Sequence, residues 1–160
     1  MSSRQAEALL DLCRRKGITL ATAESCTGGL IGAMLTEIPG ASDVFDRGFI
    51  TYSNEAKHEL LGVSTALLDH HGAVSAEVAS AMAAGALARS GARLAVAVTG
   101  IAGPGGGSAE KPVGLVFLAA CRRDAAPLCE ERRFSGDRAE IRRQAASRAL
   151  AMLHDLACKT

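Results

Sequence analysis

The sequence predicts an α/β protein, a three-layer α/β/α sandwich with a mixed β-sheet, and three observations carry that prediction. Short apolar, β-branched runs interleave with longer runs whose apolar residues recur at helical spacing. Two late stretches separated by a polar turn, the first apolar and the second largely charged, read as an antiparallel hairpin, which makes the sheet mixed. The length, 160 residues, suits one domain over 1–160 with one sizeable core. Only 3% of the residues are aromatic, so Ala, Leu, Val and Ile must build that core.

The elements follow in order. Residues 4–16 place Leu9, Leu10 and Cys13 on one side of a helix that Gly17 stops. "ITLATA" (18–23) is short, apolar and β-branched, a buried strand. Leu30, Ile31, Met34, Leu35 and Ile38 repeat at helical spacing until Pro39 and Gly40. "FDRGFITYS" (45–53) reads as a strand, and "NEAKHELLG" as a short helix capped by Asn54. A second short helix spans 64–70, and Ser75 caps an Ala-rich helix over 76–90, closed by Gly91. "ARLAVAVTG" (92–100) is a strand followed by a loop with five glycines between 100 and 107. "PVGLVFLAAC" and "LCEERRF" form the hairpin around 122–127. Asp137, with Glu140 three residues on, makes a capping box for the last helix, whose apolar stripe runs from Ile141 to Leu156.

Composition excludes several function classes. A net charge of +1 gives no general surface for nucleic acid or membrane. Five cysteines, an odd number with no CxxC spacing, argue for a reducing compartment and against a disulfide framework or zinc site. The N-terminal stretch has no long apolar segment, and no run approaches the roughly 18 apolar residues of a membrane span. A cytoplasmic protein is expected.

Four motifs carry chemistry. In "AESCTGG" (23–29), Ser25 lies at a strand–turn–helix junction, where first-turn amides of the helix, around Cys26, Thr27 and Gly28, can hold an anion or a developing oxyanion. The structural alternative is that Ser25 or Thr27 simply caps the helix. No base is paired in sequence with Cys26, which reads as a small packed hydrophobe. In "TYSNEAK" (51–57), Lys57 occupies the third helical position if Asn54 is the cap. The helix dipole and burial then push it towards its neutral form, whereas an ordinary lysine is only about 0.1% neutral near physiological pH. Tyr52 ends the preceding strand within reach of the same site; the alternative is a surface lysine on an amphipathic helix. "TGIAGPGGGSAEK" fails both the Walker A and the G-x-G-x-x-G tests, yet its exposed amides from Thr99 and Gly100 through Gly103 and Gly105 suit a phosphate or sugar. A merely flexible loop is the alternative. Finally, "GDRAEIRRQA" loads Arg138, Arg142 and Arg143 into the start of the last helix, against its dipole. Arg138 and Arg142 share a face and can clamp a phosphate, or pair with Asp137 and Glu140 on a solvated face.

"TAESCTGG", "RGFITYSNEAK", "GAVS", "VTGIAGPGGGSAEKPVG" and "FSGDRAEIRRQA" together, in this order and spacing, resemble the nicotinamide-nucleotide amidases, equivalent to the C-terminal domain of the competence/damage-inducible protein CinA. The resemblance runs from about Ala6 to the last helix. It implies a cytoplasmic hydrolase, commonly dimeric, that converts nicotinamide mononucleotide to nicotinate mononucleotide and ammonia in recycling of pyridine nucleotides. It implies neither metal nor cofactor. Matched motif to motif, its Ser–Lys pair and assisting Tyr fall on Ser25, Lys57 and Tyr52. The larger N-terminal domain of full-length CinA proteins is expected to be absent, as in stand-alone amidases. Two rival classes stand beside this reading: a nucleotide-binding module that keeps the pocket without catalysis, and a thiol hydrolase or redox enzyme centred on Cys26.

Overall fold

The computed structural model describes residues 2–160. Five strands, β1 (Leu20–Glu24), β2 (Phe45–Ile50), β3 (Leu94–Gly100), β4 (Leu115–Arg122) and β5 (Leu128–Arg133), form one sheet in the order β2-β1-β3-β4-β5. β1 runs parallel to both β2 and β3, and β4 and β5 add antiparallel to the far side, so the sheet is mixed as expected. Helices α1 (Ser2–Lys16), α2 (Leu30–Thr36) and α6 (Arg138–Cys158) cover one face. Helices α3 (Asn54–Leu61), α4 (Thr65–His71) and α5 (Ala76–Ala88) cover the other. A 3₁₀ turn, Ala41–Asp43, which the periodicity does not foretell, leads into β2.

Side-chain size sorts the two interfaces. Leu20, Leu94, Val96, Val98, Val116 and Leu118 point towards α1, α2 and α6, whereas Ala21, Ala23, Ala95, Ala97 and Ala119 point towards α5. The period of two along each strand produces this split. Small residues on both sides let the Ala-rich α5 lie close to the sheet. A Cβ at Gly85 of α5 would strike the Leu61 carbonyl of α3, so glycine permits that second close approach.

Several expected boundaries move. β1 starts at Leu20 and extends to Glu24, β2 stops at Ile50 rather than at 53, α5 ends at Ala88, and β3 begins at Leu94. The cap of α3 is Ser53, not Asn54: the Ser53 side chain accepts from the Ala56 N–H at 3.0 Å, which makes Asn54 the first helical residue. The Asp137/Glu140 capping box of α6 forms as the spacing predicts.

The topology sets the place for chemistry. From β1 the chain crosses to β2 on one side and returns to β3 on the other. In open α/β sheets such a switch opens a crevice beyond the carboxyl ends of the strands. The segment after β1 holds Ser25, that after β2 holds Tyr52, and that after β3 is the glycine loop.

Candidate active site

Backbone pairing carries Ser25 and Thr51 one residue beyond the strands. Ser25 N–H donates to Val98 C=O at 3.0 Å, and Thr51 N–H to Glu24 C=O at 2.8 Å. The Ser25 main chain is thereby fixed on the sheet rim rather than on a free loop. Gly28 N–H closes a turn onto Ser25 C=O at 3.0 Å, with Gly28 at φ 59°.

Lys57 comes from α3, where the Ser53 cap makes it the fourth helical residue rather than the third. It is 1% exposed, the largest fully buried side chain among the described residues. Its Nζ lies 2.9 Å from Ser25 Oγ, 2.8 Å from Thr51 C=O and 3.2 Å from Tyr52 C=O. Burial lowers its pKa from 10.5 to about 8. No carboxylate among the described residues lies within ion-pair distance to hold the ammonium, and Glu55 is exposed to solvent. The amphipathic-helix alternative for Lys57 is therefore excluded by its burial.

The start of α2 differs from expectation. α2 begins at Leu30, its cap position is Gly29 in the left-handed region, and neither Ser25 nor Thr27 caps it. The buried Glu24 carboxylate instead accepts from the N–H groups of Gly29 (3.2 Å), Ile31 (2.9 Å) and Gly32 (3.0 Å). The positive end of α2 is thus engaged by a side chain of β1. Gly28 N–H is engaged by Ser25 C=O, so of the expected oxyanion donors only the N–H groups of Cys26 and Thr27 lack a partner among the described residues. Glu24 was missed from sequence. Its signal is an acidic residue at a strand end, followed by a helix that starts on glycines with no Ser, Thr, Asp or Asn at the cap position.

Cys26 is 6% exposed and belongs to the core under α2. Burial pushes its thiol up to about 11, which suppresses the thiolate that chemistry would need.

Tyr52 is 60% exposed, and its hydroxyl accepts from Arg138 Nη2 at 3.0 Å rather than bonding Ser25 or Lys57. Arg138 Nη1 donates to Gly103 C=O at 2.7 Å, so this arginine joins Tyr52 to the glycine loop. Arg142, one turn on, turns towards the Ser25 loop: Nε donates to Cys26 C=O at 3.1 Å and Nη2 to Thr27 C=O at 2.8 Å. The two arginines share a face, yet each holds a different loop, and neither pairs with Asp137 or Glu140. Arg143 is exposed. Thr99 is buried and its hydroxyl donates to Ala73 C=O at 2.9 Å, tying "GAVS" to β3. A Cβ at Gly100 would sit 2.7 Å from Val116 Cγ2, so strand packing already accounts for that glycine; Gly105 is open to solvent.

The fold and this buried Ser/Lys pair define an α/β domain with a lysine amine 2.9 Å from a serine hydroxyl at a topological switch point. Residues 2–157 match the family model described as the CinA C-terminal domain, and the chain belongs to that family. It is 56% identical over 133 residues to the nicotinamide-nucleotide amidohydrolase PncC of Enterobacter agglomerans, a match covering 83% of this chain and 81% of that protein. A CinA-like protein of Geobacter sulfurreducens is 55% identical over 146 residues, covering 91% of this chain and 35% of its own. The chain thus spans about a third of the length of several curated relatives it matches. The crystal structure of the competence/damage inducible protein CihA from Agrobacterium tumefaciens superposes with a TM-score of 0.95 at 53% identity, covering 97% of this chain and 94% of that one. No helix among the described residues is long and apolar enough to cross a membrane.

Proposed function

We propose that this protein is an amidohydrolase that converts nicotinamide mononucleotide to nicotinate mononucleotide and ammonia, with Ser25 as nucleophile and Lys57 as base. One observation carries the reading: a buried lysine with no carboxylate partner among the described residues, its amine 2.9 Å from a rim serine. The name of the Enterobacter relative supplies the substrate class.

The geometry supports a sequence of proton positions. Two carbonyls, of Thr51 and Tyr52, take two N–H bonds of the Lys57 amine. In the neutral amine the remaining position is the lone pair, facing the Ser25 hydroxyl. Ser25 Oγ bonds to the carboxamide carbon as its proton passes to Lys57, and the carbonyl oxygen becomes an oxyanion beside the Cys26 and Thr27 N–H groups. Collapse breaks the C–N bond, and the Lys57 proton leaves with ammonia. Water then attacks the ester, gives its proton to Lys57, and releases the carboxylate and Ser25. Tyr52, bonded to Arg138 in the free protein, orients substrate or relays a proton once substrate draws it in. Arg138 and the loop of Gly103 and Gly105 are assigned to the nucleotide end.

The same reading places the protein in pyridine nucleotide recycling, in the cytoplasm and as a homodimer, with light scattering the check on the last. Purified protein incubated with nicotinamide mononucleotide should release one ammonia per nicotinate mononucleotide. Binding without ammonia release would leave a nucleotide-binding module instead.

A further inference from the structure

We propose that Arg142 is a positioning residue that orients the peptide joining Cys26 and Thr27, and so aims the Thr27 N–H at the oxyanion. The inference rests on the reading of Ser25 and Lys57 as the hydrolytic pair. It replaces the expectation that Arg142 grips a phosphate.

Residues 25 to 28 form a turn closed by the bond from Gly28 N–H to Ser25 C=O. The central peptide of such a turn can face either of two ways, roughly half a rotation apart, and that choice separates type I from type II. Here the central peptide carries the Cys26 C=O on one edge and the Thr27 N–H on the other, because a trans peptide points them in opposite directions. Arg142 Nε holds that C=O at 3.1 Å, and Nη2 holds the next C=O, of Thr27, at 2.8 Å. With both carbonyls gripped from one side, the N–H groups of Thr27 and Gly28 face the other. Gly28 N–H meets Ser25 C=O there, and Thr27 N–H is left unpartnered among the described residues.

Two further facts favour this role. Arg142 makes no ion pair among the described residues, so its charge stays on this loop. The helix dipole of α2, a further source of positive field, is engaged by Glu24. Thr27 is β-branched and itself disfavours the flipped turn, so removing Arg142 loosens the peptide without inverting it outright. The expected loss is about 10- to 100-fold, less than the roughly 10²–10³ seen when an oxyanion donor is deleted.

The test compares Arg142→Ala and Arg142→Lys with the wild-type chain on nicotinamide mononucleotide and on nicotinamide riboside. The expected result is a fall in kcat with KM little changed, the same proportional loss in kcat/KM on both substrates, and an unmoved ionisation in the pH profile. Ethylguanidinium should restore part of the activity of Arg142→Ala and none to Ser25→Ala. Arg142→Lys keeps a cation and one donor, and carries the measurement if Arg142→Ala does not fold. A rise in KM for the nucleotide alone, with kcat intact, would make Arg142 a phosphate ligand and overturn the proposal; so would an unchanged kcat. If the wild type releases no ammonia, the hydrolytic reading has failed instead. The proposal is then tested by fluorophosphonate labelling, in which Ser25 Oγ displaces fluoride and the phosphoryl oxygen occupies the oxyanion position. Slower labelling of Arg142→Ala by a similar factor supports the orienting role, and equal rates remove it.

Discussion

Lys57 is held in a place where its ammonium is poorly solvated, and that has a cost readable in stability. Its pKa is about 8 in the folded chain against 10.5 for the ordinary group. Between those values the unfolded chain binds a proton that the folded chain does not, so stability rises with pH across this window. Comparison with Lys57→Met isolates the effect. In urea titrations the wild type should gain on the variant by ~3 kcal/mol in all between about pH 8 and 10.5, and a constant difference would deny the burial account. The adjacent nucleophiles separate at the same scale. Ser25→Ala should lose activity by several orders of magnitude, whereas Cys26→Ala, whose thiol is packed and raised to about 11, should keep most of it. Rapid thiol-reagent inactivation that disappears in Cys26→Ala, with Ser25→Ala still active, would reverse the assignment.

At the scale of elements, β1 and α2 meet through one carboxylate. Glu24 satisfies three amides that a helix with Gly29 at its cap position leaves open. Glu24→Gln keeps the shape but replaces one acceptor oxygen by a donor. It should destabilise the fold by about 1.5–3 kcal/mol in urea denaturation, the range for a hydrogen bond to a charged group. A change below about 0.5 kcal/mol would mean that the helix start does not depend on the carboxylate. This junction also shows what sequence reading reaches. "AESCTGG" announces a strand–turn–helix and a candidate serine, because apolar strand runs and glycines act locally. It does not announce that the cap comes from five to eight residues upstream, because only the folded turn brings Glu24 back to the helix. Ser53 was hidden by an equally good neighbour: Ser and Asn are near-equal caps, and backbone entry geometry chose between them.

At the scale of the whole molecule, the parallel part of the sheet gathers three loops at one rim and α6 brings two arginines to them. The order of elements and the mixed sheet are legible in the sequence, since each element carries its own period. The division of labour between Arg138 and Arg142 is not, since both lie on one helical face and only tertiary packing gives them different loops. Arg138 stands exposed between Tyr52 and Gly103, where a nucleotide phosphate is proposed to sit. Each charge-assisted bond to that phosphate is worth about 1.5–3 kcal/mol, so nicotinamide riboside should be a distinctly poorer substrate than the nucleotide. Equal kcat/KM for the two would detach Arg138 from substrate binding.

The pairing of Ser25 with a neutral Lys57 is tested most directly by the pH dependence of kcat/KM for ammonia release, measured for the wild type and for Lys57→Arg at matched fold stability. The wild-type profile should rise through an ionisation near 8, the pKa that burial sets for Lys57, the proposed base of the free protein. Lys57→Arg keeps the charge, cannot deprotonate near neutrality, and should be almost inactive across the range. Substantial turnover by Lys57→Arg, or a wild-type profile that stays flat from about pH 6 to 10, would contradict the account and require another proton acceptor for Ser25.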